Sequence, residues 1–189
     1  MLKQRVITAL VLLAILLPAL FYPSFVPFAV VTLVMMAAGA WEWGRLNGLG
    51  HGASLVLGAL CLALCSLSWA AGWLQLAPPW LWTLGGAAWV LGGAWLLRVG
   101  VDGWPRVPRA LRIVGGVLAL WLAWLAVAQA RVAGINFLLS VLTLVWAADI
   151  SAYFAGRAFG LRFTKNKLAP GISPGKSWEG VWGGLAGVM

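Results

Sequence analysis

The feature that most limits what this chain can fold into is a series of six apolar runs, each about as long as a bilayer is thick. They cover residues 6–22, 25–41, 53–76, 80–97, 111–130 and 134–154, and charge, proline or glycine closes each one. A membrane span needs roughly 17 to 25 such residues. Hydrocarbon offers no water to the backbone, so a run of this kind must satisfy its own peptide groups as a helix. The expected fold class is therefore all-α: one polytopic membrane helix bundle over residues 1–189, with six full spans. A seventh run, 178–189, covers only about 18 Å of the ~30 Å hydrocarbon core. It reads as the start of a seventh span in a chain that lacks its C-terminal part.

Composition excludes the soluble alternatives. Hydrophobic residues make up 63% of the 189 residues and charged residues 9%, against about a quarter charged in an ordinary soluble domain. Fourteen Trp and twenty-four Gly fit a bundle with aromatic anchors at the interfaces and glycine in the spans. Lys3 and Arg5 before the first run give it the look of a signal peptide. The run is long for that role and no small-x-small cleavage site follows, so a retained first span is expected.

The net charge of +9 would fit a nucleic-acid binder, but its distribution points elsewhere. With the N-terminus cytoplasmic, the inner side receives Lys3, Arg5, Arg45, Arg98, Arg106, Arg109, Arg112, Arg157, Arg162, Lys165, Lys167 and Lys176, leaving only Arg131 of the thirteen basic residues outside. A missed or invented span would scramble so one-sided a division. The charge thus reports topology, and no nucleic-acid partner is expected. Two basic stretches face the cytosol: a connector over 98–112, which suits anionic headgroups, and a segment over 157–177.

The second of these follows the one acid embedded late in an apolar run. Asp149 costs roughly 2.5 to 3.5 kcal/mol to insert, which marks a membrane-embedded acid as a functional candidate. On a helix it shares a face with Tyr153 and Gly156 at i+4 and i+7. Arg157, Arg162, Lys165 and Lys167 follow, and then Ser173-Pro174 reads as the N-cap and first residue of a new helix. Lys176 and Glu179 would lie in its first two turns. A helix N-terminus among cations seats phosphates, and a nearby carboxylate suits Mg²⁺. The string from Gly171 to Ser177 resembles a nucleotide P-loop but has Pro170 where that motif needs Gly, and no strand precedes it.

Other candidates weigh less. Cys61 and Cys65 share a helix face without a His or a further Cys, which fits packing. Glu42, between Trp41 and Trp43, is either an interfacial acid or a residue facing the site. His51 has no catalytic partner in sequence reach.

The run D-I-S-A-Y-F-A-G-R-A-F-G from Asp149 to Gly160, the run I-S-P-G-K-S-W-E-G ending at Gly180, and W-E-W-G at 41–44 together resemble the bacterial phosphatidate cytidylyltransferases. The resemblance implies an integral enzyme of the bacterial inner membrane, its active site facing the cytoplasm. Such an enzyme joins CTP and phosphatidic acid into CDP-diacylglycerol and releases pyrophosphate. It implies Mg²⁺, with room for a second cation, monovalent or divalent, and a homodimer among membrane lipids. Gly175 and Ser177 stand where the family often has Lys and Thr, which bears on the number of cations at the phosphates. The family's C-terminal signature, with its acidic metal ligands, would lie beyond Met189, so the chain alone is expected to be inactive. On this reading Asp149 contacts the metal; Lys176 and Glu179 join it as catalytic residues; Tyr153, Arg157, Lys167 and Ser173 bind substrate. The rival reading is a small transporter or channel with Asp149 as its ion or proton relay.

Overall fold

The computed structural model describes every residue except Met1, Ala169 and Ile172, and the backbone but not the side chains of Leu2 and Arg5. Two features read from the sequence therefore lie outside the described residues: the Ile172 that opens the second motif, and the Arg5 side chain in the charge count. Among the described residues there are seven α-helices and no strand: α1 (Leu2–Phe21), α2 (Val26–Leu46), α3 (His51–Ala70), α4 (Pro79–Val99), α5 (Arg109–Ala133), α6 (Ile135–Phe159) and α7 (Trp178–Gly187). A 3₁₀ turn, Val101–Arg106, follows α4. Five helices, α2 to α6, are long and apolar enough to cross a membrane, and α1 carries a shorter apolar stretch, Val6–Phe21. This is a multi-pass membrane protein of the expected all-α class.

Proline and glycine set the boundaries. Pro27 and Pro79 open α2 and α4 at positions where a missing N–H costs nothing. The third apolar run extends to residue 76, but α3 stops at Ala70. Gly72 adopts φ +77°, its N–H donates to the Trp69 carbonyl, and the Trp73 N–H donates back to the Ser68 carbonyl at 3.0 Å. That pair of bonds satisfies the last carbonyls and ends the helix, whatever the hydropathy of the residues beyond. In the other direction, α6 runs five residues past the expected end at Phe154 and carries Arg157 on its last turn.

The chain divides into two compact units, Met1–Ala88 with Val107–Phe137, and Trp89–Arg106 with Leu138–Met189. In the first unit α2, α3 and α5 enclose a core in which Trp121, Trp124, Leu125 and Ala128 of α5 meet Ala29, Leu33 and Ala40 of α2 and Cys61 and Cys65 of α3. Both cysteines are buried there as packing residues. Buried Trp needs a partner for its N–H. Trp124 Nε1 donates to the Ala29 carbonyl at 3.1 Å, and Trp121 Nε1 to Ser68 Oγ at 2.9 Å. Arg131, the cation assigned to the outer side, is only 8% exposed. Its Nε donates to the Leu20 carbonyl and its Nη2 to the Tyr22 carbonyl, at 3.0 and 2.6 Å. It thus satisfies open carbonyls at the C-terminal end of α1, where a cation also opposes the helix dipole.

In the second unit α6 and α7 pack backbone to backbone. A Cβ on Gly180 would stand 3.0 Å from the Ala152 carbonyl, and one on Gly183 would overlap the Ala155 methyl. Small residues at such a contact let two helices approach without side chains between them. Their close approach fixes where the start of α7 lies against the last two turns of α6.

Candidate functional site: a cationic pocket at the start of α7

The local sequence builds a different entry to α7 from the expected one. Ser173-Pro174 does not start the helix. Ser173 to Lys176 form a turn closed by the Lys176 N–H on the Ser173 carbonyl at 3.1 Å, with Pro and Gly at the two central positions that favour them. The cap is Ser177, whose Oγ accepts from the Gly180 N–H at 3.3 Å. Gly175 explains the shift, because glycine in a first helical turn gains nothing over the turn it can make instead. Lys176 therefore precedes the helix, and Glu179 is the second residue within it.

Lys167 and Ser177 form an antiparallel bridge, and the Leu168 N–H donates to the Lys176 carbonyl at 3.2 Å. The bridge brings Lys167 and Lys176 to one cavity of about 210 Å³, lined by both lysines with Gly156, Gly160, Leu161, Pro174, Gly175 and Ser177. Sites that take whole small molecules run from about 300 Å³ upward, so this one suits the phosphate end of a ligand. A larger cavity of about 480 Å³ lies in the first unit, among Leu74, Trp82, Gln129 and Phe137. It has no charged lining and nothing to hold an anion.

Glu179 holds this loop from below. It is 3% exposed, and its Oε1 accepts from the Phe163 N–H (3.0 Å), the Thr164 N–H (2.8 Å) and the Thr164 hydroxyl (2.9 Å). Burial pushes its pKa up, but hydrogen bonds from backbone N–H groups, its own included, and from the Thr164 side chain outweigh that and hold the carboxyl at about 2. Glu179 lies outside the five spans, and its carboxylate is ionised at neutral pH. Oε2 is buried and has no partner among the described residues.

The remaining candidates lie on α6. Asp149 is exposed and makes no hydrogen bond or ion pair among the described residues, so it is not the structural partner of Arg157. Arg157 instead donates from Nη1 to the Tyr153 hydroxyl at 3.0 Å, with both side chains exposed. Asp149 shares a face with Gly156 and Gly160, seven and eleven residues on, which places it about 10 to 16 Å along the helix from the pocket floor. It does not line the pocket. Ser173 is half-buried in the turn beside it. In the first unit Glu42 pairs with Arg45 at 3.4 Å, both half exposed, and the His51 ring stands edge-on to Trp41.

No group of three or more His, Cys, Asp or Glu that could cage a metal occurs among the described residues. Mg²⁺ needs no such cage: one or two carboxylates with substrate phosphates and water suffice. Asp149, unpartnered and exposed, fits that requirement, whereas Glu179 already commits one oxygen to three donors. Sequence reasoning missed Thr164 entirely. Its signal was the acid fifteen residues on, a separation no local pattern detects.

The fold and the pocket define a membrane-embedded protein with a small, cation-lined pocket at the start of a helix. The chain matches the model of the cytidylyltransferase family over residues 3–189. It is 43% identical to the phosphatidate cytidylyltransferase of Pseudomonas aeruginosa, across 98% of this chain and 67% of that protein. The Haemophilus influenzae phosphatidate cytidylyltransferase is 36% identical, across 98% and 69%. That of Brucella abortus is 43% identical over a shorter stretch, 30% of this chain and 19% of that one. No solved structure matches the chain. The chain belongs to the cytidylyltransferase family, and its chemistry is nucleotidyl transfer rather than transport.

Proposed function

We infer that the protein transfers CMP from CTP to phosphatidic acid, forming CDP-diacylglycerol and pyrophosphate, with its pocket opening to the cytoplasm at the bacterial inner membrane. The observation that carries this reading is the meeting of Lys167 and Lys176 in one phosphate-sized cavity beside the cap of α7. The family match supplies the nucleotide, and the membrane spans supply access to a lipid substrate.

A phosphatidic acid oxygen attacks the α-phosphorus of CTP, the bond from that phosphorus to the bridging oxygen breaks, and pyrophosphate departs with its electron pair. The lipid phosphate is already ionised near neutral pH. The protein's task is thus alignment and charge neutralisation rather than proton abstraction. Lys167 and Lys176 hold nucleotide phosphates, and Lys176 offsets charge on the leaving group. Arg157, steadied along α6 by Tyr153, faces the lipid phosphate. Ser173 keeps the turn that presents Lys176. Asp149 would hold Mg²⁺, which when bound acts as a Lewis acid on phosphoryl oxygens.

The assay is the full-length protein in phosphatidate-containing vesicles with labelled CTP. Lipid-linked CMP is the expected product, and its absence from intact, folded protein overturns the reading. Competition by ether-linked or polyprenyl phosphates tests the choice of lipid. For the metal, Asp149→Asn is expected to cut turnover by about 10²-fold or more and to weaken its dependence on Mg²⁺. Turnover with an unchanged Mg²⁺ requirement removes Asp149 from the metal.

A further inference from the structure

The loop that carries Lys165 and Lys167 is held to the start of α7 by the backbone bridge at Lys167 and Ser177 and, upstream of it, by one side chain. Glu179 Oε1 gathers the N–H groups of Phe163 and Thr164 and the Thr164 hydroxyl, and hydrogen bonds to a charged acceptor are the strong ones. Immediately upstream Leu161 has φ +64°. An L-residue with a branched side chain incurs a steric penalty there, and such conformations persist only where the surroundings hold them. Leu161 also lines the phosphate pocket. The strained residue, the clamped turn and the lysine-bearing bridge follow one another along the chain, so releasing the clamp loosens all three.

We propose that Thr164 and Glu179 form a latch that positions the cationic loop for the nucleotide phosphates, making both of them positioning residues rather than metal ligands. This rests on the phosphate pocket assigned above. Thr164 contributes the hydroxyl that completes the set of donors on Oε1, and Glu179 carries the turn from a helix that the α6 contact holds in place. When the latch opens, Leu161 relaxes toward an ordinary backbone conformation and Lys167 is left held only by the backbone bridge at Ser177, so its ammonium is less well fixed opposite Lys176. The chemistry at the α-phosphorus is not touched, so the damage falls on capture of CTP.

Thr164→Val in the full chain is expected to raise KM for CTP by about tenfold, the equivalent of one hydrogen bond to a charged group, with kcat little changed. Thr164→Ser, which keeps the hydroxyl, is expected to stay near the wild type. Glu179→Gln raises KM further, and adding Leu161→Gly to it recovers part of the loss, because glycine holds a positive φ without help. Trypsin cleavage after Arg162, Lys165 and Lys167 should quicken in the order wild type, Thr164→Val, Glu179→Gln, and CTP should slow it in the wild type alone.

An unchanged KM in Thr164→Val, equal effects of Val and Ser at this position, or a fall in kcat at constant KM overturns the latch. Should the wild type transfer no CMP, the functional reading fails by itself. The latch is then judged on CTP protection: slower cleavage of the wild type but not of Thr164→Val supports it, and no protection of either overturns it.

Discussion

The two units of the chain are held together by opposite means. Around Trp121 and Trp124 the first unit fills space with large side chains and ties each indole to an oxygen on a neighbouring helix. Around α6 and α7 the second removes side chains from the contact altogether, so that glycine and alanine backbones meet. Bulk gives a core that tolerates small errors at a cost spread over many contacts. Backbone contact gives a helix start at a defined place, with little else to keep it there. The first arrangement suits a scaffold. The second suits a pocket whose floor is Gly156 and Gly160 and whose rim must admit an anion.

That contrast can be broken by experiment. Losing both cations should do the greatest harm: Lys167→Ala with Lys176→Ala removes two charge-assisted contacts of about 1.5 to 3 kcal/mol each. A fall in kcat/KM for CTP of roughly 10² to 10⁴-fold is expected, with thermal unfolding in detergent unchanged. Next comes the scaffold. Trp124→Phe strips one bond from the Ala29 carbonyl, which Thr32 still serves, and leaves space where the larger ring was buried, for about 1 to 3 kcal/mol of stability, read as a lower unfolding temperature. KM for CTP should not move. A rise in KM comparable to that of the lysine variants would end the division of labour between the units.

The smallest effect sharpens the comparison rather than breaking it. The Glu179 carboxyl lies below the usual carboxylate range, so its contribution is fully present above the unfolded value and is lost only as pH falls through about 2. Hydrogen exchange at the Phe163 and Thr164 amides, corrected for intrinsic rates, should keep the same protection from about pH 3.5 to pH 8. A loss of protection between about pH 5 and pH 4 would show that the carboxyl titrates near its ordinary value and that the loop is not held as described.

Much of this was legible early because hydropathy acts through composition and length. Runs of bilayer length dictated helices, five of which are long and apolar enough to cross a membrane. Asp149, Lys167 and Lys176 stood out because charge beside an apolar run is costly wherever it lies. Local conformation was less transparent. Ser173-Pro174 carries a good cap signature, yet Ser177 does the capping, because Gly175 turns the chain before a helix can begin. The end of α3 was hidden for a related reason, since Gly72 stops the helix inside a run that hydropathy alone would continue.

What the amino-acid order settled unaided was the class of fold, since apolar runs of bilayer length carry with them the transfer free energies that make them membrane helices. Tertiary structure alone decided that two lysines nine positions apart share a cavity, that Arg131 closes the end of α1, and that Glu179 reaches back fifteen residues to Thr164. Those are contacts between distant parts of the chain, and their energy exists only once the backbone has already brought the partners within a hydrogen bond of each other.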